Sequence, residues 1–178
     1  MRFRAGSATR RAIVAAALSA GLLTAGCAGA SPAVVAYVGD AKITQQQLET
    51  AVAAVSTTVE EGQTVSQPAV ISAMIQGELA NQIGAERKIA ITDAQRDTFL
   101  KTTNLAPLLG VASAKPIAYD VADTQIVSTK LGGEAYLAEI ERRSVTLNPR
   151  YGVLDPKQKT IVTDRSGSLS EPAAPQTP

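Results

Sequence analysis

Residues 34–48 read Val34-Val35-Ala36-Tyr37-Val38-Gly39-Asp40-Ala41-Lys42-Ile43-Thr44-Gln45-Gln46-Gln47-Leu48, and the fold follows from how this stretch divides. Val34 to Val38 is a β-branched and aromatic run stopped by Gly39-Asp40, the pattern of a short strand and a tight turn. Ala41-Lys42-Ile43 continues it briefly. Thr44 with Gln47 then forms a T-x-x-Q capping box, in which each residue satisfies an N–H group that the helix start leaves orphaned. Ile43 and Leu48 flank that cap as a hydrophobic staple. Leu48, Val52, Val55 and Val59 extend one apolar stripe, so a helix is expected to about Glu60. A strand leading directly into a helix needs another strand to satisfy its backbone. The remaining candidate lies far away, at Ser144-Val145-Thr146-Leu147, where polar and apolar residues alternate with Val145 and Leu147 inward.

Between these strands the pattern is helical. Pro68 suits the first turn of a second helix, whose Ile71, Ile75, Leu79 and Ile83 recur every four residues, with Val70 and Met74 beside them, as far as about Lys88. Thr92 with Gln95 is a second capping box and opens a third helix through Phe99 and Leu100. Residues 103–117 read as a loop. Helical periodicity resumes near Tyr119 with Ala122, Ile126 and Val127. Gly132-Gly133 interrupts it, and Glu134 to Arg143 presents Tyr136, Leu137 and Ile140. Asn148-Pro149-Arg150-Tyr151-Gly152 reads as a turn, and Lys159 to Thr163 as one more short strand. The expected fold is therefore α+β and mainly α: a helical domain with a small antiparallel sheet pairing the N-terminal strand with the C-terminal one.

The first twenty-seven residues have a different character. Arg2, Arg4, Arg10 and Arg11 precede Cys27 and no acid does. Residues 12–25 are uncharged and would span about 21 Å as a helix, short of the roughly 30 Å hydrocarbon core, which suits a signal-peptide core. The run ends Leu23-Thr24-Ala25-Gly26-Cys27, which resembles the bacterial lipobox. That resemblance implies cleavage between Gly26 and Cys27, a diacylglycerol on the Cys27 sulfur and acylation of the new amino terminus. The chain would then be held at the extracytoplasmic face of the cell membrane, with the lipid bilayer as a partner. The plain alternative is an ordinary signal peptide cut near Ala28-Gly29-Ala30, with Cys27 a free thiol. Thr9-Arg10-Arg11-Ala12-Ile13-Val14 resembles a twin-arginine signal, but paired Arg are common in such leaders, so the general unfolded route is the one expected and twin-arginine export the alternative. The expected division is a lipoprotein signal peptide over 1–26, a tether over 27–33, a domain over 34–163 and a disordered tail over 164–178.

Composition excludes several kinds of chemistry. The 178 residues include 17 basic and 16 acidic groups, one Cys and no His. Without His, His/Cys zinc sites, His-based triads and Cys–His pairs are out of reach. A single Cys cannot form an intrachain disulfide. After Cys27 the balance is mildly acidic, 13 against 16, which gives no footprint for nucleic acid. No catalytic residue, cofactor site or metal site is expected, and the Asp and Glu residues read as a solvated surface.

The residues Ala36-Tyr37-Val38-Gly39-Asp40-Ala41-Lys42-Ile43-Thr44, the stretch Val70 to Asp97 and the turn Asn148 to Gly152 together resemble the N-terminal domain of SurA-type (SurA/PrsA) chaperones, in the form of the shorter actinobacterial lipoproteins. The resemblance covers most of residues 34–155. It implies binding of unfolded or exported polypeptides outside the cytoplasmic membrane, in a groove lined by aliphatic side chains and Met. Longer relatives add parvulin-type isomerase domains, whose sites usually contain His; prolyl isomerisation is therefore not expected here. The competing expectation is a structural or assembly lipoprotein that binds one specific envelope partner.

Overall fold

Helix starts in this chain are set by local chemistry. The computed structural model, which describes residues 33–59 and 64–162, places strands β1 (Val34–Val38) and β2 (Ala41–Thr44) ahead of helix α1 (Gln45–Ser56). Both halves of the Thr44/Gln47 capping box are made. Helix α2 (Gln67–Glu86) carries Pro68 in its first turn, and α3 (Asp93–Lys101) begins with a complete Thr92/Gln95 box. A 3-10 turn over Ala106–Gly110 leads to α4 (Lys115–Leu131) and α5 (Gly133–Glu141). Strand β3 (Val145–Leu147), a 3-10 turn over Pro149–Tyr151, β4 (Val153–Leu154) and β5 (Ile161–Val162) complete the described chain. The class is α+β, mainly α.

The expected long-range pairing is present. β1 pairs antiparallel with β3, Ala36 opposite Leu147 and Val38 opposite Val145. β2 is more than a continuation of β1: it folds back as a hairpin, giving the order β2-β1-β3 with β1 in the middle. Gly39 makes the reversal at φ +57, a left-handed conformation that a side chain would strain. Its N–H reaches Ser144 O at 2.9 Å, tying the turn to the far strand. The β1–β2 register shifts between Val34 and Ala36. This bulge re-aims Val35, so four of the five residues of β1 are buried where simple alternation would bury about half.

The core is built on α2, about 30 Å long. Ile71, Ile75, Leu79 and Ile83 are all fully buried and pack with Val35, Val38, Leu48, Val127 and Ile140. A second cluster joins Leu100, Leu108, Ala118 and Ala122. The deepest approach is between α2 and α4 at Gly77, where an added Cβ would collide with the Asp120 side chain.

Several boundaries differ from expectation. α1 stops at Ser56 instead of running to Glu60, because the Thr57 and Thr58 hydroxyls turn back onto Ala54 O and Val55 O. Its buried face is Leu48, Ala51 and Ala54, with Val52 and Val55 on the flank. α2 ends at Glu86, where Ile89 N bonds Gly84 O and Lys88 N bonds Ala85 O, a Schellman close with Lys88 in the left-handed position (φ +55). α4 begins four residues before Tyr119, with Pro116 in its first turn, so residues 103–117 are not one loop. α5 spans Gly133–Glu141, two residues short of Arg143. β5 answers the expectation at Lys159 to Thr163, and its partner β4 was not foreseen. The expected leader, Gly26, Cys27, all but the last residue of the tether, and the tail lie outside the described residues.

Candidate functional site

Two acids that the sequence presented as surface groups are buried, and one shapes the surroundings of a third. Asp123, 3% exposed, receives Arg96 Nε at 2.6 Å and Arg96 Nη2 at 3.0 Å. Arg96 also holds Asp93 at 2.8 Å, which clamps the start of α3 to the middle of α4. Glu139, 6% exposed, is ringed by Arg87, Arg142 and Arg143, and these hold its carboxyl below the ordinary range, the Arg87 hydrogen bond most of all. The expectation of a uniformly solvated acidic surface is therefore corrected. Asp123 carried a signal: an acid sits inside the apolar pattern Ala122, Ile126, Val127, and such a residue needs a cation partner.

Asp120 lies one turn before Asp123. Its backbone C=O accepts from Thr124 Oγ1 at 2.8 Å, while its carboxyl sits against the bare backbone of Gly77. Burial is the main cause that pushes this carboxyl up to about 7; Asp123 and Glu78 add to the rise and Arg96 opposes it. Nothing in the local sequence distinguishes Asp120 from a surface acid. Its environment comes from a glycine forty-three residues earlier, which lets two helices meet.

Asp120 forms part of the wall of a groove of about 520 Å³ between the hairpin and the helices. β2 contributes Lys42 and Ile43, α1 contributes Gln47 and Ala51, α2 contributes Met74 and Glu78, and α4 contributes Ile117. Glu78 Oε1 accepts from Gln82 Nε2 at 2.8 Å, and the same amide reaches Val38 O at 2.9 Å, so the acid is fixed to the sheet through one side chain.

The groove borders an open strand edge. β1 turns alternate residues toward β3: Val35 O accepts from Asn148 N at 2.8 Å, and Gly39 N donates to Ser144 O at 2.9 Å. The intervening Ala36 and Val38 therefore face β2, opposite Ile43 and Ala41. By the same alternation, the N–H and C=O of Lys42 point away from the sheet. Its ammonium lies 5.9 Å from the centre of the Tyr37 ring across the hairpin.

The turn Asn148 to Gly152 locks the chain after β3. Asn148 is buried; its Nδ2 donates to Val34 O at 3.0 Å and its Oδ1 accepts from Arg150 N at 3.3 Å. Arg150 Nη2 donates to Gln45 Oε1 and to Tyr151 Oη, each at 2.9 Å. Tyr151 packs half-buried against the core. Gly26 and Cys27, the expected cleavage and lipid-attachment residues, are outside the described residues.

Compared with known protein families, with curated proteins and with solved structures, the chain gives no match.

Proposed function

We propose that this chain is an extracytoplasmic lipoprotein, anchored through acylated Cys27, that holds unfolded or exported polypeptide segments without isomerising them. The observation that carries the reading is the groove beside β2. Half-buried Met74 and the small accessible parts of the core residues Ile43, Ala51 and Ile117 offer apolar contact among polar neighbours, and the outward N–H and C=O of Lys42 offer main-chain hydrogen bonds. An extended segment gains from both, and neither depends strongly on its side-chain sequence. Met supports this tolerance because its unbranched thioether adapts to different shapes. The lipobox-like ending and the SurA-type pattern support the location and the client class.

The test compares wild type with Met74→Glu, which places a charge on the groove floor at a half-buried position. Suppression of aggregation of an unfolded client is expected in the wild type and lost in the variant at a temperature where both are folded; the variant's thermal midpoint should fall, because Met74 packs against the core and Glu78 and Asp120 line the same groove. Equal suppression by both proteins, or none by either, would refute the groove reading. Cys27→Ser is expected to abolish metabolic labelling by palmitate, and retained labelling would refute the anchor. Crosslinking in intact cells that recovers one stoichiometric protein, in place of many weak clients, would replace this reading with that of an assembly lipoprotein for a single envelope partner.

A further inference from the structure

The two-stranded β4–β5 ribbon leaves a pair of valines in solvent. Val153 is 70% and Val162 42% exposed, and they stand directly opposite each other across the ribbon, on one face. Their neighbours Leu154 and Ile161 pack inward. Two cross-strand valines make a small apolar pair on one face of the ribbon, and its setting decides what that pair can meet.

Where the chain leaves the domain says what that occupant is. Ala33 is the first described residue, and its C=O accepts from Gln45 N at 2.9 Å. Gln45 in turn binds Arg150, which lies across the Tyr151 ring at 4.9 Å. Val153 follows two residues later, so the turn and the ribbon adjoin the point where the tether enters. Only five residues, spanned by six peptide steps, lie between Cys27 and Ala33. Even fully extended, the six steps reach about 20 Å, so an acylated Cys27 keeps this end of the domain against the bilayer. Charge points the same way. Residues 148–162 contain Arg150, Lys157 and Lys159 against the single acid Asp155, whereas the chain after Cys27 has more acids than bases.

From this arrangement we infer that the β4–β5 ribbon forms a membrane-docking face, with Val153 and Val162 entering the interfacial region of a bilayer and Lys157 and Lys159 meeting anionic headgroups. The inference rests on the proposed Cys27 anchor and adds a second contact to it. Contact with a polar–apolar boundary suits Lys, whose stem is apolar and whose tip is charged. Docking sets the orientation of the domain, because the ribbon packs near the start of α2, where Ile161 N reaches Ser72 Oγ at 2.9 Å. α5 packs at the other end of α2, where Arg143 holds Glu86 at 2.6 Å.

The chain has no Trp, so a single introduced indole reports on its own surroundings. Full-length lipoprotein carrying Val162→Trp is reconstituted into vesicles of phosphatidylcholine and phosphatidylglycerol with brominated acyl chains, and compared with Leu137→Trp on the exposed face of α5. The expected result is bromine quenching of the Val162→Trp indole and none of the Leu137→Trp indole. In the Val162→Trp background, Lys157→Gln and Lys159→Gln should each lower the docked-to-undocked ratio roughly five-fold. Protein that floats with the vesicles but shows equal quenching at the two sites would overturn the docking face and leave the anchor standing. Protein that does not float overturns the anchor, and the docking face with it.

Discussion

Stability of this domain should fall as pH rises from the acid range toward neutrality, and Asp120 should account for the fall. Its carboxyl is raised to about 7 in the folded chain from an ordinary value of 3.8. Between these values the folded state keeps a proton that the unfolded state has released. Excess protons on the folded side mean that stability decreases with rising pH. At about 1.36 kcal/mol per pH unit, with the slope fading as the folded group titrates near pH 7, the fall between pH 5 and pH 8 is about 2.7 kcal/mol. Solvent at the groove mouth lowers this to about 2 kcal/mol. The chain has no His, so no side chain with an ordinary value competes in that window. Glu86 and Glu139 have lowered values; their contribution is present above the ordinary carboxylate range and lost below it, at more acid pH. The assay is urea unfolding at pH 5 and pH 8 for wild type and Asp120→Asn. Wild type should lose about 2 kcal/mol between the two, while Asp120→Asn stays flat and is the more stable protein at pH 8. Parallel behaviour of the two proteins would refute the placement of this carboxyl in a water-poor groove.

Arg96→Ala should cost about 3–5 kcal/mol, because it leaves the buried Asp123 without its cation. Arg96→Met with Asp123→Leu should recover most of that loss in the same denaturation series, and failure to recover would contradict a paired-charge role. Tyr136 buries a hydroxyl with no well-formed hydrogen bond among the described residues, Thr124 being the side chain that comes near enough to serve it; Tyr136→Phe should be neutral or stabilising by up to about 1 kcal/mol, and a clear loss in thermal midpoint would show that Thr124 satisfies the hydroxyl. Lys88→Gly should stabilise by about 1 kcal/mol, since Lys88 closes α2 in a left-handed conformation; calorimetry showing a lower midpoint would count against that reading.

The features legible in the sequence were those written within a few residues. Both T-x-x-Q boxes, the Pro68 start and the Gly39 turn came from local hydrogen-bonding and steric rules. The β1–β3 pairing came from a global requirement, that two isolated strands satisfy each other. What escaped depended on distant neighbours. The Val35 bulge and the two-residue β4 arise from packing and carry no periodicity of their own. Pro116 read as a continuation of the loop although it also suits a helix start, and that cost α4 its first turn. The groove was expected only as aliphatic side chains and Met, without residue numbers. Its floor comes from four separate elements, and Asp120 acquires its setting only when Gly77 brings α2 against α4.

The central position of β1 also orders events during synthesis. Its hairpin partner is made immediately, but its other flank is covered only when residues 145–147 appear, more than a hundred positions later. A growing or truncated chain thus carries a naked row of amide and carbonyl groups beside buried-type valines, an invitation to pair with another chain. Completion of the last tenth or so of the domain works as a clasp: until it shuts, the polypeptide is exposed to proteases and to self-association, and any factor that shields β1 in the interval would raise the yield of intact protein.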